Sequence, residues 1–178
     1  MELRPSLQIK TVIKAMTDVV LPALDPANKL AQEQARLCIG TLQIVLSRLP
    51  LGFAYDRDEL GRSLELARGL IEAAAGQPVA ADALTALAQA TAQGADVLDR
   101  ARAEPSELEA ANVDLRDKIG ALIPTLYANA EIADLKTVST LITENAREQL
   151  VRDRSWLIGQ GWEPDPKALP AVETLIGK

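Results

Sequence analysis

Apolar side chains recur every three or four residues along almost the whole chain, a period that places them on one face only in a helix. Behind Ser6, a possible cap, Ile9, Val12, Ile13, Met16, Val19 and Val20 form one stripe, which Pro22 is expected to end or kink. A second segment opens at Asp25-Pro26, an N-cap followed by proline at the first helical position, and runs to Leu49-Pro50. Leu30, Leu37, Cys38, Leu42, Val45 and Leu49 share one side of it. Ile39, Ile44 and Leu46 widen the apolar arc beyond a narrow seam, so this helix needs cover on more than one side.

After a loop, PLGFAY, Asp56 or Asp58 starts a third helix with Leu60, Leu64, Ala67 and Ile71 inward and Gly76 as its stop. Residues 80–103 predict an alanine-rich fourth helix carrying Leu84, Leu87, Thr91 and Leu98, and its small side chains let a neighbouring backbone come close. Ser106 and Glu109 match a capping box at the head of a fifth helix. Its stripe is Leu108, Leu115, Ile119, Leu122 and Leu126, interrupted near the end by Pro124. A sixth, from near Glu131, carries Leu135, Val138, Leu141, Ile142 and Leu150. Short connections between long helices imply antiparallel neighbours. The expected fold is therefore all-α, an up-and-down helical bundle of about six helices over residues 1–154. Residues 155–178, containing Trp, Gly and Pro, are expected to form a C-terminal strap on the bundle or on a second subunit.

Composition removes several kinds of chemistry. The chain has no histidine, so Ser-His-Asp and Cys-His catalysis, the Glu-x-x-His di-iron motif and H-E-x-x-H zinc sites are excluded from it. Neither common glycine-rich phosphate loop is present. The single cysteine, Cys38, lies in ARLCIGTL, where it reads as a small buried hydrophobe, and a lone thiol suits a reducing cytoplasm. The N-terminal MELRPSLQIK lacks the apolar stretch of a signal peptide, and no run approaches the ~20 apolar residues of a membrane span. A net charge of −6 argues against nucleic acid or an anionic membrane as the main partner. These features predict a cytoplasmic protein without a cofactor.

Two charged clusters stand out. Glu104-x-x-Glu107 is followed by Glu131-x-x-Asp134, and carboxylates at i and i+3 share a helix face. Two such pairs on adjacent helices can hold Mg²⁺ through oxygen ligands. The pattern resembles that of the all-helical nucleoside triphosphate pyrophosphohydrolases of the MazG-like class. That resemblance implies a magnesium-dependent hydrolase with Glu104, Glu107, Glu131 and Asp134 as ligands. Pro105 sits inside the first pair, however, and acidic residues at a helix N-terminus have an ordinary role against the helix dipole. Caps and surface charge are the preferred account, with no metal site. The second cluster, Arg147, Arg152 and Arg154, reads as a solvated, salt-bridged face in which Glu148 and Arg152 form an i, i+4 pair.

Phe53, Tyr55, Trp156 and Trp162 fall at helix ends or in loops, where they are candidates for contact with a ligand or partner. Trp156 continues the sixth stripe and is expected to be buried. Trp162, in GQGWEPDP, is expected to peg the returning tail, perched between glycines that let the chain turn and prolines that stiffen it. That stretch, with TDVVLPALDPANKLAQEQA, resembles uncharacterised all-helical bacterial proteins associated with genes for acyl-CoA dehydrogenase-like and aminoglycoside-phosphotransferase-like enzymes. The resemblance implies a bacterial origin and carries over no active site. The preferred expectation is a non-catalytic helical interaction or accessory protein, a homodimer able to engage a protein partner. The hydrolase above and a small-molecule binding module are the alternatives.

Overall fold

The computed structural model describes residues 4–100, 102–128 and 135–176, and every regular element among them is helical. The protein is an all-α helical bundle. Its helices are α1 (Pro5–Ala15), α2 (Leu21–Ala23), α3 (Lys29–Arg48), α4 (Gly52–Ala73), α5 (Ala81–Asp99), α6 (Pro105–Tyr127) and α7 (Leu135–Leu157). Two compact units divide the chain: Met1–Gly52 with Arg152–Val172, and Phe53–Val151 with Glu173–Lys178.

The second unit is a four-helix core whose inward residues follow the sequence stripes. Leu60, Leu64, Ala67 and Leu70 of α4 meet Leu87 and Ala90 of α5, Leu108, Leu115, Leu122 and Leu126 of α6, and Val138 of α7. Alanine-rich α5 packs along α6, as small side chains allow. At Gly94, where a Cβ would lie 3.2 Å from Leu64 Cδ2 and 3.3 Å from Leu115 Cδ1, three helices converge. One buried amide joins this core: Asn112 Nδ2 donates to the Asp56 carbonyl at 3.1 Å, and the Ser63 hydroxyl donates to Asn112 Oδ1 at 3.4 Å. Gly76, at φ +81°, ends the run after α4 in the left-handed conformation expected of a stop.

Several boundaries differ from the sequence reading, each for a local reason. α4 starts at Gly52, so Phe53 and Tyr55 lie in its first turn and not in a loop. The capping box of α6 is Glu104 with Glu107, because Pro105 fits the first helical position and draws the start two residues ahead of Ser106. Pro124 leaves α6 intact, since it falls within the last turn and the helix runs on to Tyr127. Leu150, expected inward, is exposed on α7.

The first unit is built differently. α1 continues through a π-helical stretch, Met16–Val20, into α2. The Leu21 N–H reaches back to the Met16 carbonyl, a wide turn that carries the chain past Pro22 without a break. Asp25 does not cap α3. Its carboxylate accepts from Ala27 N–H, and Asn28 takes the N-cap, accepting from Ala31 N–H at 3.0 Å. α3 buries only Ala35 and Ile44, and α1 buries nothing.

Candidate interaction face

The arc of α3 that packs within its unit runs through Gln32, Ala35, Ile39, Leu42 and Leu46, all buried or half-buried at spacings of three and four. A second stripe on the same helix stays open. Leu30 is 67% exposed, Leu37 and Val45 are each 44% exposed, and Leu49 extends the row at its end. Cys38 lies in this stripe and is exposed, which corrects its expected place in the core. The row from Leu30 to Val45 carries no formal charge: the side chains between them on that side are Gln34 and Thr41. Val12, Val19 and Val20 of the α1 run are likewise exposed, against the expectation that the whole stripe turns inward. The wide arc was legible in the sequence. Which half of it faces outward was not, because both halves are apolar.

The returning tail meets α3 at two places. Arg48 donates from Nε to the Trp156 carbonyl and from Nη2 to the Ser155 carbonyl, both at 3.1 Å, and its guanidinium lies 5.6 Å from the centre of the Trp156 ring. A cation therefore serves the C-terminal end of α7, where the helix dipole favours positive charge. Further on, Gly159 lies against Ile44, whose Cγ1 would be 3.3 Å from an added Cβ. Gly161, at φ +75°, supplies the turn. Trp156 is half-buried beneath Arg48. Trp162 is 71% exposed, so it is not the peg of the tail. The fastening is ionic instead: Arg154 holds Glu163 through two bonds, at 2.9 and 2.6 Å.

That pair predicts a pH response. The Arg154 bond draws the Glu163 carboxyl below its ordinary value. A lowered carboxyl stabilises the fold above the ordinary glutamate range, and the contribution disappears as pH falls through the lowered value. Asp56 has the opposite sign, since burial and then Glu109 raise its carboxyl, and acidification relieves that cost. Acidification through that lowered value is thus expected to release protection around residues 161–168, and Glu163→Gln to do so already at neutral pH. Hydrogen exchange resolved by peptide checks both. Unchanged exchange in the variant would remove the ionic fastening from the account.

The basic cluster forms the expected solvated face only in part. Arg147 and Arg154 are exposed, Arg154 in an ion pair with Glu163, whereas Arg152 is 1% exposed and Glu148 pairs with Arg62. Of the acidic pairs, Glu104 and Glu107 make a helix cap: Glu107 Oε2 accepts from the Glu104 N–H at 2.9 Å, and Oε1 pairs with Arg100 at 2.8 Å. The first of these bonds, then the second, lowers the Glu107 carboxyl. Glu131 and Asp134 lie outside the described residues.

An open cleft of about 780 Å³ occurs in the second unit, with Phe53, Arg57, Arg62, Leu98 and Glu148 among its lining. Its cations are already engaged. Arg57 Nη2 donates to the Leu98 carbonyl near the end of α5 at 2.6 Å, with the guanidinium 5.9 Å from the Phe53 ring centre, while Arg62 pairs with Asp58 and Glu148. Tyr55 accepts a bond from Gln149 at 3.3 Å. The four aromatic candidates thus divide, with Phe53 and Tyr55 in one unit and Trp156 and Trp162 in the other. Among the described residues no single helix is long and apolar enough to cross a membrane. No protein-family model matches the sequence, and no curated protein or solved structure is significantly similar to it.

Proposed function

We propose that this chain is a helical interaction module, an accessory protein that works by binding another protein through the open face of its first unit. The observation that carries this reading is the uncovered apolar stripe of α3 beside an α1 with no buried residue. Large contiguous apolar surface usually marks an interface, and the exposed ring of Trp162 in the same unit is of the type enriched at such contacts. A protein partner fits better than nucleic acid or an anionic membrane, because the chain is acidic and the stripe is uncharged. The exposed, single thiol fits a reducing cytoplasm.

The test is to make the stripe polar. In a variant combining Leu30→Gln, Leu37→Gln and Val45→Gln, circular dichroism is expected to show full helix content, since these side chains support no core of their own chain. Binding of an apolar fluorescent dye, measured at dilutions where only monomer is present, is expected to fall sharply. Loss of helix content would instead make the stripe part of the protein's own interior and end this reading.

A further inference from the structure

Resting on that reading, we propose that residues 157–171 are an autoinhibitory strap, which covers part of the apolar α3 face and must leave before a protein partner can use the whole of it. The covered residue is Ile44. Leu30, Leu37 and Ile44 follow one another at intervals of seven, about two turns of helix, so they form one row along α3. Leu30 and Leu37 are 67% and 44% exposed, whereas Ile44 is 8% exposed. Its cover does not come from the arc of α3 that packs within the unit. At about 100° per residue, Ile44 lies about 140° around the helix from Ile39, the middle of that arc.

The cover is the strap. Its short 3-10 helix, Ile158–Gln160, packs on α3, and a Cβ added to Gly159 would lie 3.3 Å from Ile44 Cγ1 and 3.9 Å from Cδ1. Gly40 and Arg48, a turn to either side of Ile44, are half-buried with it. The strap is lightly held. None of residues 157–171 is fully buried, and segments with few buried apolar contacts open at the lowest free-energy cost. Its fastenings are polar: Arg48 binds the Ser155 and Trp156 carbonyls just before it, and Arg154 binds Glu163 across the left-handed turn at Gly161. A partner offers Ile44 the apolar cover that the strap now gives it, and also covers Leu30 and Leu37, which the strap leaves open. Strap and partner therefore compete for one row, and only chains with the strap released bind at full affinity.

Binding of an apolar fluorescent dye to the whole chain, at dilutions where only monomer is present, reads the row. Arg48→Met with Glu163→Gln removes both fastenings, and neither residue belongs to the four-helix core. Hydrogen exchange is expected to accelerate in residues 155–172 while helix content stays the same. The dye's dissociation constant is expected to fall about tenfold, as one more isoleucine side chain becomes available for burial. Adding Leu37→Gln or Ile44→Gln is expected to abolish that gain. Gly159→Gln keeps both fastenings but presses on Ile44, so it gives a smaller gain and serves if the double variant folds poorly. Fast exchange in residues 155–172 with no gain in dye binding overturns the strap and leaves the interaction reading standing, as does a strap that stays protected in both variants. A gain that survives both Leu37→Gln and Ile44→Gln arises elsewhere and also overturns the strap. If the parent's dye binding survives the triple glutamine variant as well, the interaction reading falls with it.

Discussion

Leu115→Ala is expected to lower the melting temperature by about 10 °C. Leu115 is fully buried, and its Cδ1 is one of the atoms closing on Gly94 from across the α5–α6 contact. Truncating a buried leucine costs about 3–5 kcal/mol, part in lost transfer energy and part in the cavity left behind. The location of the cavity gives a second, sharper expectation. Gly94→Ala alone sets two small effects against each other: helix propensity gains about 1 kcal/mol, while the new methyl presses on Leu64 and Leu115. Combined with Leu115→Ala, the methyl enters space that the leucine has vacated. The double variant is therefore expected to melt above Leu115→Ala by a few degrees, a coupling of about 1 kcal/mol. Thermal unfolding followed by circular dichroism measures all three variants. Additive shifts would mean that α5 and α6 do not meet at this point as described.

The same core shows why part of the fold was legible. On α4 and α6, leucines at Leu60, Leu64, Leu108 and Leu115 stand against polar or small neighbours, so the stripe and its inward direction are one observation. On α3 the two separate. Apolar residues cover more than half the circumference, and the side chosen by the fold centres on small Ala35 and leaves Leu30 and Leu37 outside. Hydrophobicity alone ranks those the other way. Helix starts were ambiguous wherever two caps stood within three residues, as with Asp25 and Asn28 or Glu104 and Ser106; at the second, Pro105 in the first helical position decided for Glu104. The arginine contacts were beyond reach, because Arg48 and Arg57 bind main-chain carbonyls 107 or 108 and 41 residues away. A carbonyl acceptor leaves no mark in the sequence.

Arg48→Met is expected to open residues 155–172 while leaving the four-helix core closed. The methionine keeps much of the apolar stem but removes both donors and the charge. Each bond from a charged donor contributes about 1.5–3 kcal/mol, and Arg48 makes two, to the carbonyls of Ser155 and Trp156. Its guanidinium also covers the Trp156 ring, a contact of about 0.5–1 kcal/mol at a partly exposed site. Allowing for water replacing part of the lost bonding, a local cost of about 3 kcal/mol corresponds to exchange on the order of a hundredfold faster. Arg48→Lys is expected to recover only part of the protection, since an ammonium cannot present the planar fork that reaches both carbonyls. Trp162→Ala is the contrast: with the ring mostly in solvent, its loss leaves these amides unchanged. Peptide-resolved hydrogen exchange separates the outcomes. Fast exchange confined to residues 155–172 in Arg48→Met places the fastening at the arginine. If those peptides exchange as in the parent protein, Arg48 does not hold the tail, and if the Trp162→Ala tail opens instead, the aromatic ring holds it to its unit.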